Sequence, residues 1–270
     1  SNVLGIMVPS LDNFFYDSFT AAVEEEARRT GYSVLIMQSG ESRDIETANL
    51  KLLKNNRIAG VFVAITGETD DINAFLKIQN SNTPVIFFDR VPDYEACNKI
   101  CLADKVAATM AADALIAKNK KHVLALFGHP KLTISKKRFT AFNDTFKTKS
   151  PGTVINNQFP LSIEEAKKIT LAALENKKKP DAIFGMGDLI LIGAMQAVHE
   201  KKLRVPEDIG IVSISNGLIP TLYDPKVTFV ETSGYKLGKL AFKRMMECLA
   251  GSSFLQELTV ESVLVNGGSL

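Results

Sequence analysis

Two short, unbroken apolar runs, at residues 182–185 and 209–214, flank a helical stretch ending near residue 201, and they constrain the fold more than any other feature. Apolar runs without polar alternation mark strands covered on both faces of a sheet. Each run here stops at small polar residues: Gly187 and Asp188 follow the first, and Ser215, Asn216 and Gly217 follow the second. In open α/β sheets, ligands sit at such strand ends.

The same pattern recurs along the chain. Apolar strands are expected at 3–8, 34–37, 60–65 and 85–88. Between them lie a helix carrying Phe15, Phe19, Val23 and Ala27 on one stripe, ended by Gly31, and amphipathic segments near 44–55 and 70–80. After Asp89 and Arg90 comes a polar passage with cysteines, a short strand near 99–102, and a helix to residue 117 with Asp104 as its N-cap. The alternation then restarts with a strand at 123–127, a helix carrying Phe139, Phe142 and Phe146, and a strand at 153–156. Ser162 and Glu165 form an S-x-x-E capping box that opens the next helix, and Pro180 prevents its continuation. Beyond the two opening runs, a strand at 227–230, a helix at 235–249 and a strand-like 258–265 complete the chain. Such alternation implies α/β architecture with parallel, doubly wound sheets, arranged as two successive half-chains of similar character.

Composition excludes several classes. With 46% hydrophobic and 23% charged residues, the chain is neither disordered nor a coiled coil. A net charge of +2 is too small to imply a nucleic-acid surface on this segment. Apolar runs are interrupted well before the ~20 residues a bilayer requires, so no membrane partner is expected. Ser1 and Asn2 read as a cloning scar that leads into the first strand without a basic n-region or an apolar h-region. The three cysteines, Cys97, Cys101 and Cys248, suggest no disulfide framework. A cytoplasmic protein with reduced thiols is expected.

Catalytic and metal constellations do not assemble. His122, His129 and His199 are scattered, and Cys97 and Cys101 form a C-x-x-x-C without a second ligand pair. Neither a nucleophile elbow nor a phosphate loop is present. Gly185, Gly187 and Gly193 have the wrong spacing for a dinucleotide fingerprint and lie in the second half-chain. No metal, cofactor or enzymatic activity is therefore expected.

Several segments, in order and in register, resemble the effector domain of lactose-repressor (LacI) type transcriptional regulators: VLGIMVPSLDNFFYDSF, IAGVFVA, PVIFFDR, ISKKRFTAF, PDAIFGMGD through VPEDI, and PKVTFVETSGYKLGKLAF. The resemblance implies a type I periplasmic-binding-protein-like fold, with two α/β lobes joined by three crossovers and an effector cleft between them. By position, residues 1–105 with 232–253 would form the N-terminal lobe, and 106–231 with 254–270 the C-terminal lobe. It further implies a homodimer, a small-molecule effector (a sugar, sugar acid or sugar phosphate), and operator DNA contacted through an N-terminal head not present in this chain.

The resemblance also marks positions. Asn13, Phe14 and Phe15 match a first loop that lines the cleft, although the helical stripe equally places Phe15 in the core. Arg90 ends a strand with a planar fork suited to hydroxyls or a carboxylate, and Asp89 either orients it or caps a turn. Lys136 and Arg138 align with effector-contacting and neighbouring arginines, whereas Lys137 reads as a solvated face. Phe159 stands at a ligand-stacking aromatic, with buried packing as the alternative, and Asp188 matches the aspartate of an N-D pair. Two positions depart: Gly187 replaces that asparagine, and Ser215 replaces a frequent sugar-binding aspartate, with Asn216 or Ser135 as compensating groups. These departures point toward an anionic or phosphorylated effector, better suited to Arg90 and Lys136. A solute-binding protein serving a sugar transporter is the alternative reading on the same fold.

Overall fold

The computed structural model describes residues 2–270; Ser1 lies outside the described residues. In chain order the elements are β1 (Val3–Val8), α1 (Phe14–Arg29), β2 (Ser33–Gln38), α2 (Arg43–Asn55), β3 (Gly60–Val63), α3 (Asn73–Gln79), β4 (Val85–Phe88) and β5 (Asn98–Leu102). There follow α4 (Asp104–Ala117), β6 (His122–Leu126), α5 (Thr133–Lys149), β7 (Val154–Gln158), α6 (Ile163–Glu175), β8 (Ala182–Gly185), α7 (Asp188–Glu200) and β9 (Gly210–Ser215). The chain closes with a single 3₁₀ turn (Ile219–Leu222), β10 (Thr228–Glu231), α8 (Gly234–Leu249), β11 (Glu257–Val260) and β12 (Val263–Val265).

These elements form two compact units, Ser1–Leu102 with Ser233–Val260 and Ala103–Thr232 with Glu261–Leu270, so the chain passes between them three times. The first unit holds a six-stranded parallel sheet ordered β11-β5-β4-β3-β1-β2. Along β1, Leu4, Ile6 and Val8 enter one apolar cluster with Phe19, Val23 and Met245, whereas Met7 enters another with Leu50, Leu53 and Phe75. Because alternate residues of a strand face opposite sides, α1 and α8 cover one face and α2 and α3 the other. That is why β1 lacks polar alternation. The second unit repeats the plan in the order β12-β10-β9-β8-β6-β7, with β12 antiparallel to β10. Its core centres on Phe127, Phe142 and Phe184, with the last two rings stacked at 4.4 Å.

In both sheets the strand order reverses direction, between β1 and β3 and between β6 and β8. Crevices beyond the carboxyl ends of strands at such reversals are the usual ligand positions of doubly wound sheets. Local caps fix where the helices after these strands begin. Asn13 caps α1, accepting from the amides of Phe15 at 2.9 Å and Tyr16 at 3.2 Å. Ser162 caps α6 through the Glu165 amide at 3.1 Å, but the Glu165 carboxylate accepts from the Leu161 amide, one residue earlier than a capping box requires.

Three expectations need correction. Asp104 is the first residue of α4 rather than its cap, because its carboxylate pairs with Arg138 of the second unit. For the same reason residues 103–105 belong to that unit, as does Thr232, whose amide donates to the Ser215 carbonyl. Finally, residues 254–260 belong with the first unit: β11 extends its sheet beside β5, and only beyond Val260 does the chain join the second, through β12.

Candidate functional site

At the carboxyl edge of the first sheet, the loops after β1, β2, β3 and β4 hold a connected polar set. Asn13 is half-buried, with its carboxamide oxygen committed to the start of α1. Phe14 is 38% exposed, whereas Phe15 leans on the core and meets Tyr16 edge to face, with centroids 5.8 Å apart. Phe15 therefore takes the packing role, and Phe14 is the more exposed of the two rings. Tyr16 is buried, and its hydroxyl donates to the Asp89 carboxylate at 3.1 Å. Burial pushes the phenol well above its ordinary value, so it stays a donor to that carboxylate.

Asp89 adopts a left-handed backbone, φ 56°, rare for a residue with a side chain. The turn follows the end of β4 and sets Asp89 toward Tyr16 and Arg90 toward a different partner, since the Arg90 guanidinium binds the carboxylate of Glu41. Glu41, from the loop after β2, accepts with its second oxygen from the Gly67 amide at 3.0 Å. Glu46 lies deeper on α2, accepting from the Thr69 hydroxyl at 2.8 Å and the Thr66 amide at 3.2 Å, and burial raises its carboxyl above the usual range.

The second unit carries its own set at the equivalent edge. Arg138, 4% exposed, donates Nε to Asp104 at 2.9 Å and Nη1 to the Met186 carbonyl at 2.5 Å. It thus ties the start of α4, the first turns of α5 and the loop after β8 into one frame, leaving little of the fork for a ligand. Ser135, one turn earlier on α5, is 1% exposed, and its hydroxyl has no hydrogen-bond partner among the described residues. Lys136 is exposed on the same helix. Asp188 opens α7 and accepts from the Ser215 hydroxyl at 2.5 Å and the Asn216 amide at 3.2 Å. Burial raises the Asp188 carboxyl, opposed by those two bonds and by the Arg138 charge. Ser215 is buried and Asn216 half-buried. The serine that stands in for an expected aspartate is therefore a donor orienting Asp188. Phe159 is 37% exposed, backed at 6.0 Å by Phe127 and at 5.7 Å by Phe139, so one apolar face is supported and the other is open.

The sites named from sequence thus fall into two groups, Asn13, Phe14, Phe15, Asp89 and Arg90 in the first unit and Ser135, Lys136, Arg138, Phe159, Asp188, Ser215 and Asn216 in the second. Sequence reasoning missed Tyr16, Glu41 and Asp104 as partners of these groups. Only Tyr16 left a signal: it stands three residues before Phe19, so the stripe of α1 that carries Phe19, Val23 and Ala27 also buries a phenol, which needs an acceptor. A cavity of about 760 Å³ in the second unit lies elsewhere, lined by Met195, Val198, Leu203, Leu222 and Tyr223 among others. Among the described residues, no group of three or more His, Cys, Asp or Glu side chains could hold a metal ion. Burial raises the Cys97 thiol to about 11, and the Cys97 Sγ donates to the Tyr94 carbonyl at 3.2 Å, so it is an inert packing group.

Comparison with known proteins agrees with this fold. The ribose operon repressor of Halalkalibacterium halodurans is 25% identical over 247 residues, 92% of this chain and 72% of that protein. The crystal structure of a periplasmic binding protein/LacI transcriptional regulator from Alkaliphilus metalliredigens, complexed with D-xylulofuranose, superposes with a TM-score of 0.87 at 19% identity, covering 100% of this chain and 99% of that one. A LacI family transcriptional regulator from Enterococcus faecium, with bound ribose, gives 0.88 at 15% identity over 99% and 98% of the two chains. These structures share the two-unit, doubly wound architecture. The family model described as periplasmic binding proteins and sugar binding domain of LacI family matches residues 1–260, and this chain belongs to that family.

Proposed function

We propose that this chain is the effector-sensing part of a transcriptional regulator: it binds a small neutral carbohydrate and relays occupancy to a DNA-binding head. The observation that carries this reading is the pair of strand-end sets. Each combines a partly exposed aromatic ring, Phe14 or Phe159, with a carboxylate held by a donor of its own unit, Tyr16 to Asp89 and Ser215 to Asp188. Carboxylates fixed in this way accept from adjacent hydroxyls, while aromatic faces cover the apolar side of a sugar ring. The likeness of 92% of the chain to a ribose operon repressor supports regulation over transport.

Charge favours a neutral ligand over the anionic one that the departures at positions 187 and 215 suggested. Arg90 is engaged by Glu41 and Arg138 by Asp104, while Asp89 and Asp188 add further negative charge. Lys136, the remaining cation of the positions named from sequence, lies on the surface of α5. Where relatives were captured with D-xylulofuranose and ribose, the ligands are uncharged pentoses of this class.

In this reading the ligand is held at the strand ends, and it shifts the equilibrium between two states of the protein only by its differential affinity for them. The protein is a cytoplasmic binder rather than an enzyme. Among the described residues no helix is long and apolar enough to cross a membrane. Self-association into an isologous homodimer belongs to the same proposal. Ile45 and Leu52, seven residues apart on α2, are 47% and 49% exposed, and Leu222 is 67% exposed at the 760 Å³ cavity.

A thermal-shift screen of pentoses, hexoses, their acids and phosphates, and nucleobases tests the ligand class. A neutral sugar at about a hundredfold excess over its Kd should add about 2.7 kcal/mol to stability. Response only to the acids or phosphates would overturn the neutral assignment, and silence across the panel would overturn carbohydrate sensing.

A further inference from the structure

Arg90 lies at the carboxyl edge of the first sheet, in the loop after β4, and the chain itself supplies its carboxylate. The Arg90 carbonyl accepts from the Ile65 amide at 3.0 Å, which fixes its backbone beside the end of β3. Its side chain is only 22% exposed, and the guanidinium binds Glu41. Glu41 reaches it from a loop in which two consecutive residues, Gly40 and Glu41, are left-handed, at φ 60° and 62°. For glutamate that conformation is unfavourable, and it persists where surrounding contacts hold it. The second Glu41 oxygen accepts from the Gly67 amide at 3.0 Å. One carboxylate therefore joins the loops after β2, β3 and β4.

An arginine fork at a ligand edge commonly grips a carboxylate or phosphate through paired, charge-assisted bonds. Here that position is filled from within the chain. Asp89, adjacent in sequence, brings a second negative charge to the same edge. With Arg90 positive and Glu41 and Asp89 negative, the local formal charge is −1. An anion approaching Arg90 would have to displace Glu41 and then sit beside two carboxylates.

We propose that Glu41 is a specificity-determining residue: it occupies Arg90 as a built-in carboxylate and thereby excludes anionic forms of the ligand while leaving neutral ones free to bind. That role in selecting the effector rests on the carbohydrate-sensing reading. The competition between Glu41 and an external anion for Arg90 does not, and it is measured without any effector.

The experiment compares wild type, Glu41→Gln and Glu41→Gln/Arg90→Ala by thermal unfolding in inorganic phosphate against chloride at matched ionic strength and pH. Phosphate also stabilises folded chains by exclusion from their surface. Each shift is therefore taken within a variant, so that only differences between variants count and any change in intrinsic stability cancels. Glu41→Gln should show saturable stabilisation at a phosphate concentration lower by roughly ten-fold or more than wild type, the effect of one freed charge-assisted bond, and the double variant should lose it. An equal response in wild type and Glu41→Gln, or a gain that survives Arg90→Ala, would overturn the proposal. D-ribose run alongside separates the two ideas. Phosphate contrast without any response to neutral sugars would remove the sensing role and keep the competition for Arg90, whereas sugar response without phosphate contrast would do the reverse.

Discussion

Asp104 and Arg138 are 6% and 4% exposed, and their ion pair lies inside the second unit rather than on its surface. Removing one partner leaves an uncompensated buried charge. Arg138→Ala or Asp104→Ala should therefore each cost about 3–5 kcal/mol in chemical denaturation, and the double replacement Asp104→Leu/Arg138→Met much less than the sum. Asp188 makes the opposite kind of prediction. Its carboxyl is raised by burial, so the native state holds that proton more tightly than the unfolded chain does. Stability from this group consequently grows as pH falls from neutral through the raised value and toward the unfolded one. Wild type should gain on Asp188→Asn over that acidic window, as read from denaturation midpoints against pH; a constant difference would show that Asp188 titrates as it does in the unfolded chain. Asp89, Arg90 and Asp188 were legible in the sequence because each directly follows an apolar run and a strand end is a defined place. Glu41 and Asp104 were not: a loop residue's reach depends on its backbone turn, and a carboxylate at a helix start looks like a cap whether or not an arginine comes to meet it.

Helix approach in both units depends on a glycine. A Cβ on Gly193 of α7 would stand 2.3 Å from the Ile163 carbonyl and 2.7 Å from Ala166 Cβ of α6. On Gly238 of α8 it would stand 2.6 Å from the Phe19 carbonyl and 2.8 Å from Ala22 Cβ of α1. Because backbone lies opposite, neither clash is relieved by a rotamer change. Gly193→Val and Gly238→Val should each destabilise by about 1–3 kcal/mol or more, and substitution at the open Gly152 should not. Gly193, whose spacing only mimics a nucleotide-binding pattern, thus has a packing role. Most elements were legible because both faces of each sheet's centre are covered, which writes strands such as β1, β3, β4 and β8 as apolar runs. The last segment was not. One stretch of alternating apolar residues gives two short edge strands, β11 and β12, in different sheets, and edge strands carry little of the pattern that separates them.

For the whole molecule, exposed apolar positions carry the proposed homodimer. Leu52→Glu should weaken self-association by about ten-fold or more in sedimentation velocity, with thermal stability of the protomer retained; a monomeric wild type at micromolar concentration would instead favour the solute-binding reading. That two similar units exist was visible in the repeated alternation. The hydrogen bonds that hold each strand-end set were not, since the resemblance supplies positions only. The central claim is that a neutral carbohydrate is held at the strand-end sets, and calorimetric titration of D-ribose and D-xylulose into wild type, Asp89→Asn and Phe159→Ala tests it most directly. Asparagine tolerates the left-handed turn at position 89 while removing the charge. Saturable binding of one of these sugars to wild type, weakened about ten-fold or more by at least one of the substitutions, is the predicted result. Binding unaffected by both substitutions, or no binding of either sugar, would contradict it.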